Sequence, residues 1–157
     1  GMPNFSKNEE VLFSAVNEIF EEKIPFNKII GLKVRFISPE QVKLSFEMRD
    51  ELIGNAIRRM LYGGVISSAI DMTAGLAAFM GFQEKMSGKP MEEKLAMIGR
   101  LSTMSLHVEY LRPGLGREFV CTGYNVRTGN KVAVIRTELM NDQDELIAVG
   151  SVSYILV

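Results

Sequence analysis

Asp71 lies nine residues after Tyr62, and two glycines, Gly63 and Gly64, follow that tyrosine directly. The run from 62 to 79, Tyr-Gly-Gly-Val-Ile-Ser-Ser-Ala-Ile-Asp-Met-Thr-Ala-Gly-Leu-Ala-Ala-Phe, is otherwise apolar or small. Its many small residues (Ser67, Ser68, Ala69, Ala74, Gly75, Ala77, Ala78) let other backbone pack closely around it. A carboxylate in such company is costly unless it is paired, hydrogen-bonded or wet. Asp71 is therefore either a structural carboxylate, capping a loop or pairing with an arginine, or a group kept for chemistry. Other reactive side chains are scarce. Cys121 is the single cysteine and His107 the single histidine, so one chain offers no disulfide framework, no cysteine zinc site and no histidine-rich metal centre. Cys121, between Val120 and Thr122, reads as a strand packing residue, and His107 as a surface or interface residue.

The elements that must position Asp71 are legible from periodicity. Residues 8–23 place Val11, Leu12, Ala15, Val16, Ile19 and Phe20 at helical spacing, with Pro25 just beyond, which predicts an amphipathic N-terminal helix. Leu32, Val34 and Phe36 alternate with Lys33 and Arg35, and Val42, Leu44 and Phe46 with Lys43 and Ser45; with Ser-Pro-Glu between them they predict a hairpin. The polar stretch 49–61 reads as loop. A long helix is expected over 63–82, then a charged excursion over 83–100, mobile or partly helical and broken by Gly88 and Pro90. Four strands follow, at about 101–111, 117–127, 131–140 and 145–156, separated by turn residues.

Strands in series imply an antiparallel sheet, and a helix apolar all round implies burial, so the expected class is α+β: about six strands curled around one central helix, in a single domain spanning 1–157 with a helical extension over 1–24. The 157 residues, with 46% hydrophobic and 24% charged, suit an ordinary soluble domain. A net charge of -1 leaves no basic footprint for nucleic acid. Asp71 and the small polar residues make 62–79 a core helix rather than a membrane span. The lone cysteine and the lack of a signal-like apolar core near the start lead to the expectation of a reducing, cytoplasmic setting.

This layout resembles a known family. The Gly-Gly turn, Asp71, the strand Thr103-Met-Ser-Leu-His-Val-Glu-Tyr-Leu-Arg-Pro-Gly114 and the ending Glu145-Leu-Ile-Ala-Val-Gly-Ser-Val-Ser-Tyr154 look like those of a hotdog-fold acyl-CoA thioesterase of the phenylacetate-pathway (PaaI-like) branch, over about residues 25–157. That family opens its central helix with His-Gly-Gly and carries an acid nine residues after the histidine. Here Gly63, Gly64 and Asp71 match, but Tyr62 stands where histidine is usual. Gly54-Asn55 resembles the family's asparagine-bearing loop, and Thr103 its hydroxyl residue on the following strand.

The resemblance implies thioester hydrolysis. Helix N-terminal N–H groups stabilise an oxyanion, and without Cβ atoms Gly63 and Gly64 admit a thioester close to the backbone. Gly63 N–H would polarise the carbonyl, and Asp71 would activate water or attack directly. Asn55 would orient carbonyl or water, unless it only caps its loop, and Thr103 would hold the water. Tyr62 would position substrate, since a phenol with a pKa of about 10 is a poor proton shuttle near neutrality. The family builds each site from two chains, so a homodimer, assembled as a dimer of dimers, is implied, with Asp71 facing the partner's turn. Arg58, Arg59, Arg112 and Lys131 are candidates for a basic rim toward coenzyme A. Met72, among ten methionines, is a candidate for an adaptable acyl pocket, and the 83–100 excursion a lid favouring medium or long chains. No cofactor or metal is expected. The alternative is a non-catalytic hotdog module that binds acyl-CoA or acyl-carrier protein; a dehydratase, which needs a histidine beside its acid, is disfavoured.

Overall fold

The computed structural model describes residues 6–157. Helix α1 (Lys7–Asn17) opens with a capping box in which Ser6 and Glu9 satisfy each other's backbone N–H, and it buries Leu12 and Val16. It widens into a π-helical turn over Glu18–Lys23, then a short α2 (Pro25–Ile30) follows, ended by Gly31 in the left-handed conformation (φ 79°). The periodicity reading stopped at Pro25, yet proline is well placed at a first helical turn, and α2 begins with it.

Strands β1 (Lys33–Ile37) and β2 (Gln41–Glu47) form the expected hairpin. The stretch read as loop is not irregular. It holds a 3-10 turn (Asp50–Leu52) and a small hairpin of β3 (Ile53–Asn55) and β4 (Met60–Leu61). With strands of three and two residues, this hairpin has no alternation long enough to be seen in the sequence. The central helix α3 (Gly63–Glu84) is followed by α4 (Met91–Ala96) and a 3-10 turn (Met97–Arg100), so the 83–100 excursion is largely helical. Then come β5 (Leu101–Tyr110), β6 (Glu118–Thr128), β7 (Val132–Asn141) and β8 (Leu146–Leu156).

The six long strands make one antiparallel sheet in the order β1-β2-β6-β7-β8-β5. Its concave face holds α3. Although that helix is long and apolar enough to cross a membrane by composition alone, 14 of its residues are buried within the fold. Two inner-face glycines bring helix and sheet together: a Cβ on Gly123 would stand 3.2 Å from Thr73, and one on Gly150 would stand 2.7 Å from Ile70. Where the β6 ladder bulges after Asn125, that side chain donates to the Ala77 carbonyl of α3 (2.8 Å) and to the Pro39 carbonyl of the first hairpin (2.6 Å). Phe46 and Phe119, paired across β2 and β6, stack at 5.3 Å in the core.

Cys121 is completely buried on β6. Burial pushes its thiol up to about 12, opposed by the neighbouring Thr73 side chain and reinforced by Glu138. The unfolded chain sheds this proton near pH 9 while the fold retains it. The thiol's contribution to stability is therefore complete below pH 9 and is lost as pH rises toward 12, at about 1.4 kcal/mol per pH unit. Urea unfolding of wild type and Cys121→Ala between pH 8.5 and 11 reads this effect. The variant is less stable below pH 9, and above pH 9 its decline is shallower by that slope; parallel declines would contradict the assignment.

Candidate active site

Asp71 sits in the third turn of α3, half-buried, where the helix faces strands β5 and β8. Thr103 of β5 and Tyr154 of β8 are directly paired across the two strands. Both point their hydroxyls at the same carboxylate oxygen: Thr103 Oγ1 donates to Asp71 Oδ1 at 2.9 Å, and the Tyr154 hydroxyl donates to it at 2.5 Å. The Tyr154 hydroxyl also lies 2.8 Å from the Asp71 backbone carbonyl. Asp71 Oδ2 has no hydrogen-bond partner among the described residues. Burial, followed by the Asp71 carboxylate, pushes the Tyr154 phenol above its ordinary range, with Thr103 pulling the other way. A phenol raised in this way stays a donor across the neutral range.

Tyr154 and Gly75 are named in the sequence patterns but were not among the candidate site residues. The signal was present in the alternation of β8, whose inward residues 148, 150, 152 and 154 put a polar-tipped ring on a buried face. Such a hydroxyl needs a partner. Gly75, one turn beyond Asp71, is what makes room for it, since a Cβ there would stand 2.9 Å from the Tyr154 hydroxyl.

The start of α3 forms the second half of the site. Val65 and Ile66 N–H turn back to the Tyr62 carbonyl, while the N–H groups of Gly63 and Gly64 have no partner among the described residues. They are free donors at a positive helix end. Ser67 and Ser68 both donate to the Gly64 carbonyl, and the Tyr110 hydroxyl donates to the Gly63 carbonyl at 2.9 Å, which pins the turn. A cleft of about 340 Å³ opens beside it, lined by Met60, Leu61, Gly63, Ile66, Tyr110 and Arg112 among others. Tyr62 is exposed; its ring lies over Gly64, where a Cβ would come within 2.3 Å of it, and its own Cα crowds Gly54.

Eight residues separate Gly63 from Asp71, which is about 12 Å along a helix axis. One chain therefore holds the carboxylate and its own free N–H groups too far apart to touch one carbonyl group.

The remaining candidates are scattered differently. Asn55 Oδ1 accepts from the Arg58 N–H at 3.0 Å, so this side chain caps the β3–β4 turn. Arg59, in the left-handed conformation (φ 52°), pairs with Asp50. Arg112 lines the Gly63 cleft and donates to the Leu146 carbonyl at 2.9 Å. Lys131 is exposed in the β6–β7 turn, beyond Thr128, which abuts Gly81 near the far end of α3, so it is remote from this chain's Gly63. Met72 is half-buried and packs on the core. Thr103 directs its hydrogen at Asp71 itself. Another groove, about 430 Å³, lies at the C-terminal end of α3 between α1, the first hairpin and α4, with Leu12, Phe36, Met80 and Met91 in its walls.

The family profile described as Thioesterase superfamily matches residues 59–148, a span that runs from β4 through α3 and its carboxylate into β8. The chain belongs to that superfamily. Within it, the chain is 35% identical over 147 residues to the medium/long-chain acyl-CoA thioesterase YigI of Escherichia coli K12, covering 94% of this chain and 95% of that protein. A crystal structure of a Shewanella oneidensis protein related to the thioesterase superfamily superposes with a TM-score of 0.89 at 34% identity, over 98% of this chain and all of that one. The Escherichia coli PaaI protein of the phenylacetic acid degradation operon superposes with a TM-score of 0.73 over 94% of both chains, at an identity of 14% that shows the shared hotdog fold alone.

Proposed function

We propose that the chain hydrolyses the thioester of medium- to long-chain acyl-CoA, with Asp71 as general base or nucleophile, in a homodimer that joins each Asp71 to the partner's Gly63 turn. The observation that carries this reading is the pairing of one unencumbered carboxylate oxygen with unpartnered N–H groups on the same helix. Attack on a thioester carbonyl needs these two things, a base or nucleophile at carbon and donors at the developing oxyanion. By one route Asp71 Oδ2 takes a proton from water as its oxygen attacks, and the proton then passes to the departing thiolate. By the other, Oδ2 attacks the carbonyl carbon, the thiolate leaves, and water hydrolyses the resulting anhydride. In both, Gly63 N–H receives the negative charge of the carbonyl oxygen.

The dimer is supported by distance and by an exposed edge. About 12 Å between Asp71 and Gly63 in one chain leaves each half-site without its complement. Strand β5 forms one edge of the sheet for ten residues, and Met104, Leu106 and Tyr110 on it are exposed. A long edge with apolar residues is a template for pairing with another chain, and two copies meeting along β5 bring Thr103 and Asp71 to the seam.

The substrate class is supported by the relative's activity and by the apolar cleft beside Gly63, with Met60, Leu61 and Ile66 in its walls and Arg112 among its lining residues. Arg58 and Arg59, on the β3–β4 hairpin, stand toward the same end of α3. The buried lone thiol of Cys121 suits a cytoplasmic enzyme. A thiol-release assay with acyl-CoAs from short to long chain and an aryl-CoA tests the reading. The expected result is kcat/KM rising from short to medium and long chains. A preference for aryl-CoA overturns the substrate class, and no turnover by a folded oligomer favours the binding module.

A further inference from the structure

We infer that Tyr154 is a positioning residue for the reaction: with its strand partner Thr103 it engages one oxygen of Asp71 and so selects Oδ2 as the atom that reacts. This rests on the proposal that Asp71 is the base or nucleophile. The two hydroxyls reach Asp71 from adjacent strands, at 2.5 Å from Tyr154 and 2.9 Å from Thr103, and both choose Oδ1. A carboxylate oxygen has two lone-pair sites, so Oδ1 is fully occupied and Oδ2 keeps both for a water or a carbonyl carbon. The carboxyl group is then fixed in rotation as well as in place.

Three further features converge on this arrangement. The β5–β8 register shifts immediately after the Thr103–Tyr154 pair, between Thr103 and Ser105, which re-aims the strand where the hydroxyl is needed. Tyr154 is buried, at 7% exposure, so its hydroxyl has no easy alternative in solvent. Gly75 leaves the space in which the phenol reaches the helix, because a Cβ would stand 2.9 Å from the hydroxyl and 3.0 Å from the ring carbon bearing it. Gly is disfavoured in a helix interior relative to Ala, and this one is accounted for by the phenol's approach.

The test is a kinetic cycle on the full-length protein. Tyr154→Phe keeps the ring and removes only the hydroxyl; kcat should fall about 10-fold or more through lost orientation, while KM stays within about twofold. In an Asp71→Asn background the same change should have no further effect on the residual rate. Gly75→Ala provides a second route, since it displaces the phenol with every reacting group intact, and it should reproduce the kcat loss at constant KM. Wild-type kcat in both Tyr154→Phe and Gly75→Ala, while Asp71→Asn is inactive, overturns the positioning role and leaves the proposed chemistry standing. An equal loss from Tyr154→Phe with and without Asp71 also overturns it. Full activity in Asp71→Asn instead overturns the proposed chemistry, and this inference with it.

Discussion

Asp71→Asn should lower the rate of acyl-CoA hydrolysis by about 10²- to 10⁴-fold, the range expected for loss of a general base, with the protein still folded. The reason for choosing asparagine is geometric. Its Oδ1 can still accept from Thr103 and Tyr154, so the contacts that Asp71 makes with the sheet survive. The change is confined to the oxygen that has no partner, and the loss therefore reports chemistry rather than packing. Circular dichroism and thermal melts should match wild type, and steady-state thiol release gives the rate. Retention of more than a tenth of the wild-type kcat would remove Asp71 from the chemical step. The same variant tests the shared site. A heterodimer of an Asp71→Asn chain and a Gly63→Val chain, isolated through two different tags, contains one site with both defects and one with neither. Half of the wild-type activity is expected from it, although each homodimer is inactive. A heterodimer as dead as its parents would mean that each chain completes its own site.

Gly150→Val should cause the largest loss of stability. Gly150 lies on the inner face of β8, where a Cβ would come within 2.5 Å of Thr137 Oγ1, 2.7 Å of Ile70 Cγ2 and 3.4 Å of the His107 carbonyl. Ile70 and Thr137 are completely buried and have nowhere to retreat. Overpacking of this kind costs about 3 kcal/mol, at the upper end of the usual range, and at this chain length that lowers Tm by roughly 6–12 °C. The lesion is also expected to lower kcat, because Ile70 precedes Asp71 and any lift of α3 from the sheet moves the carboxylate. Ser151→Val, one residue on and exposed on the opposite face, is the control; it should melt like wild type. Equal melting of both variants would show that the helix does not depend on that close approach.

Much of this molecule is written in its periodicities. The apolar and small residues of 63–82 demand burial on every side, and the alternating runs after residue 100 require strands in series. Together these leave few folds other than a sheet curled around a helix. The carboxylate was equally visible, because an ionisable group in an apolar helix stands out against its neighbours. The motif around it carried the family, which the match over 59–148 bears out. Local irregularities were less legible. The β3–β4 hairpin is too short to alternate, and α2 hides behind a proline that starts it instead of ending its neighbour.

The sequence by itself determined the elements, their order and the one carboxylate worth questioning, since these follow from local patterns of burial and backbone freedom. Only the tertiary structure decided what that carboxylate touches. Tyr154 lies 83 positions from Asp71 and Thr103 lies 32 from it, and no local pattern relates residues so far apart. Their meeting depends on β5 crossing the sheet to pair beside β8 and on the register that sets those two residues opposite each other. It also depends on Gly75 leaving the space for a phenol. Long-range pairing is a property of how strands are ordered, and that order is settled when the whole core packs.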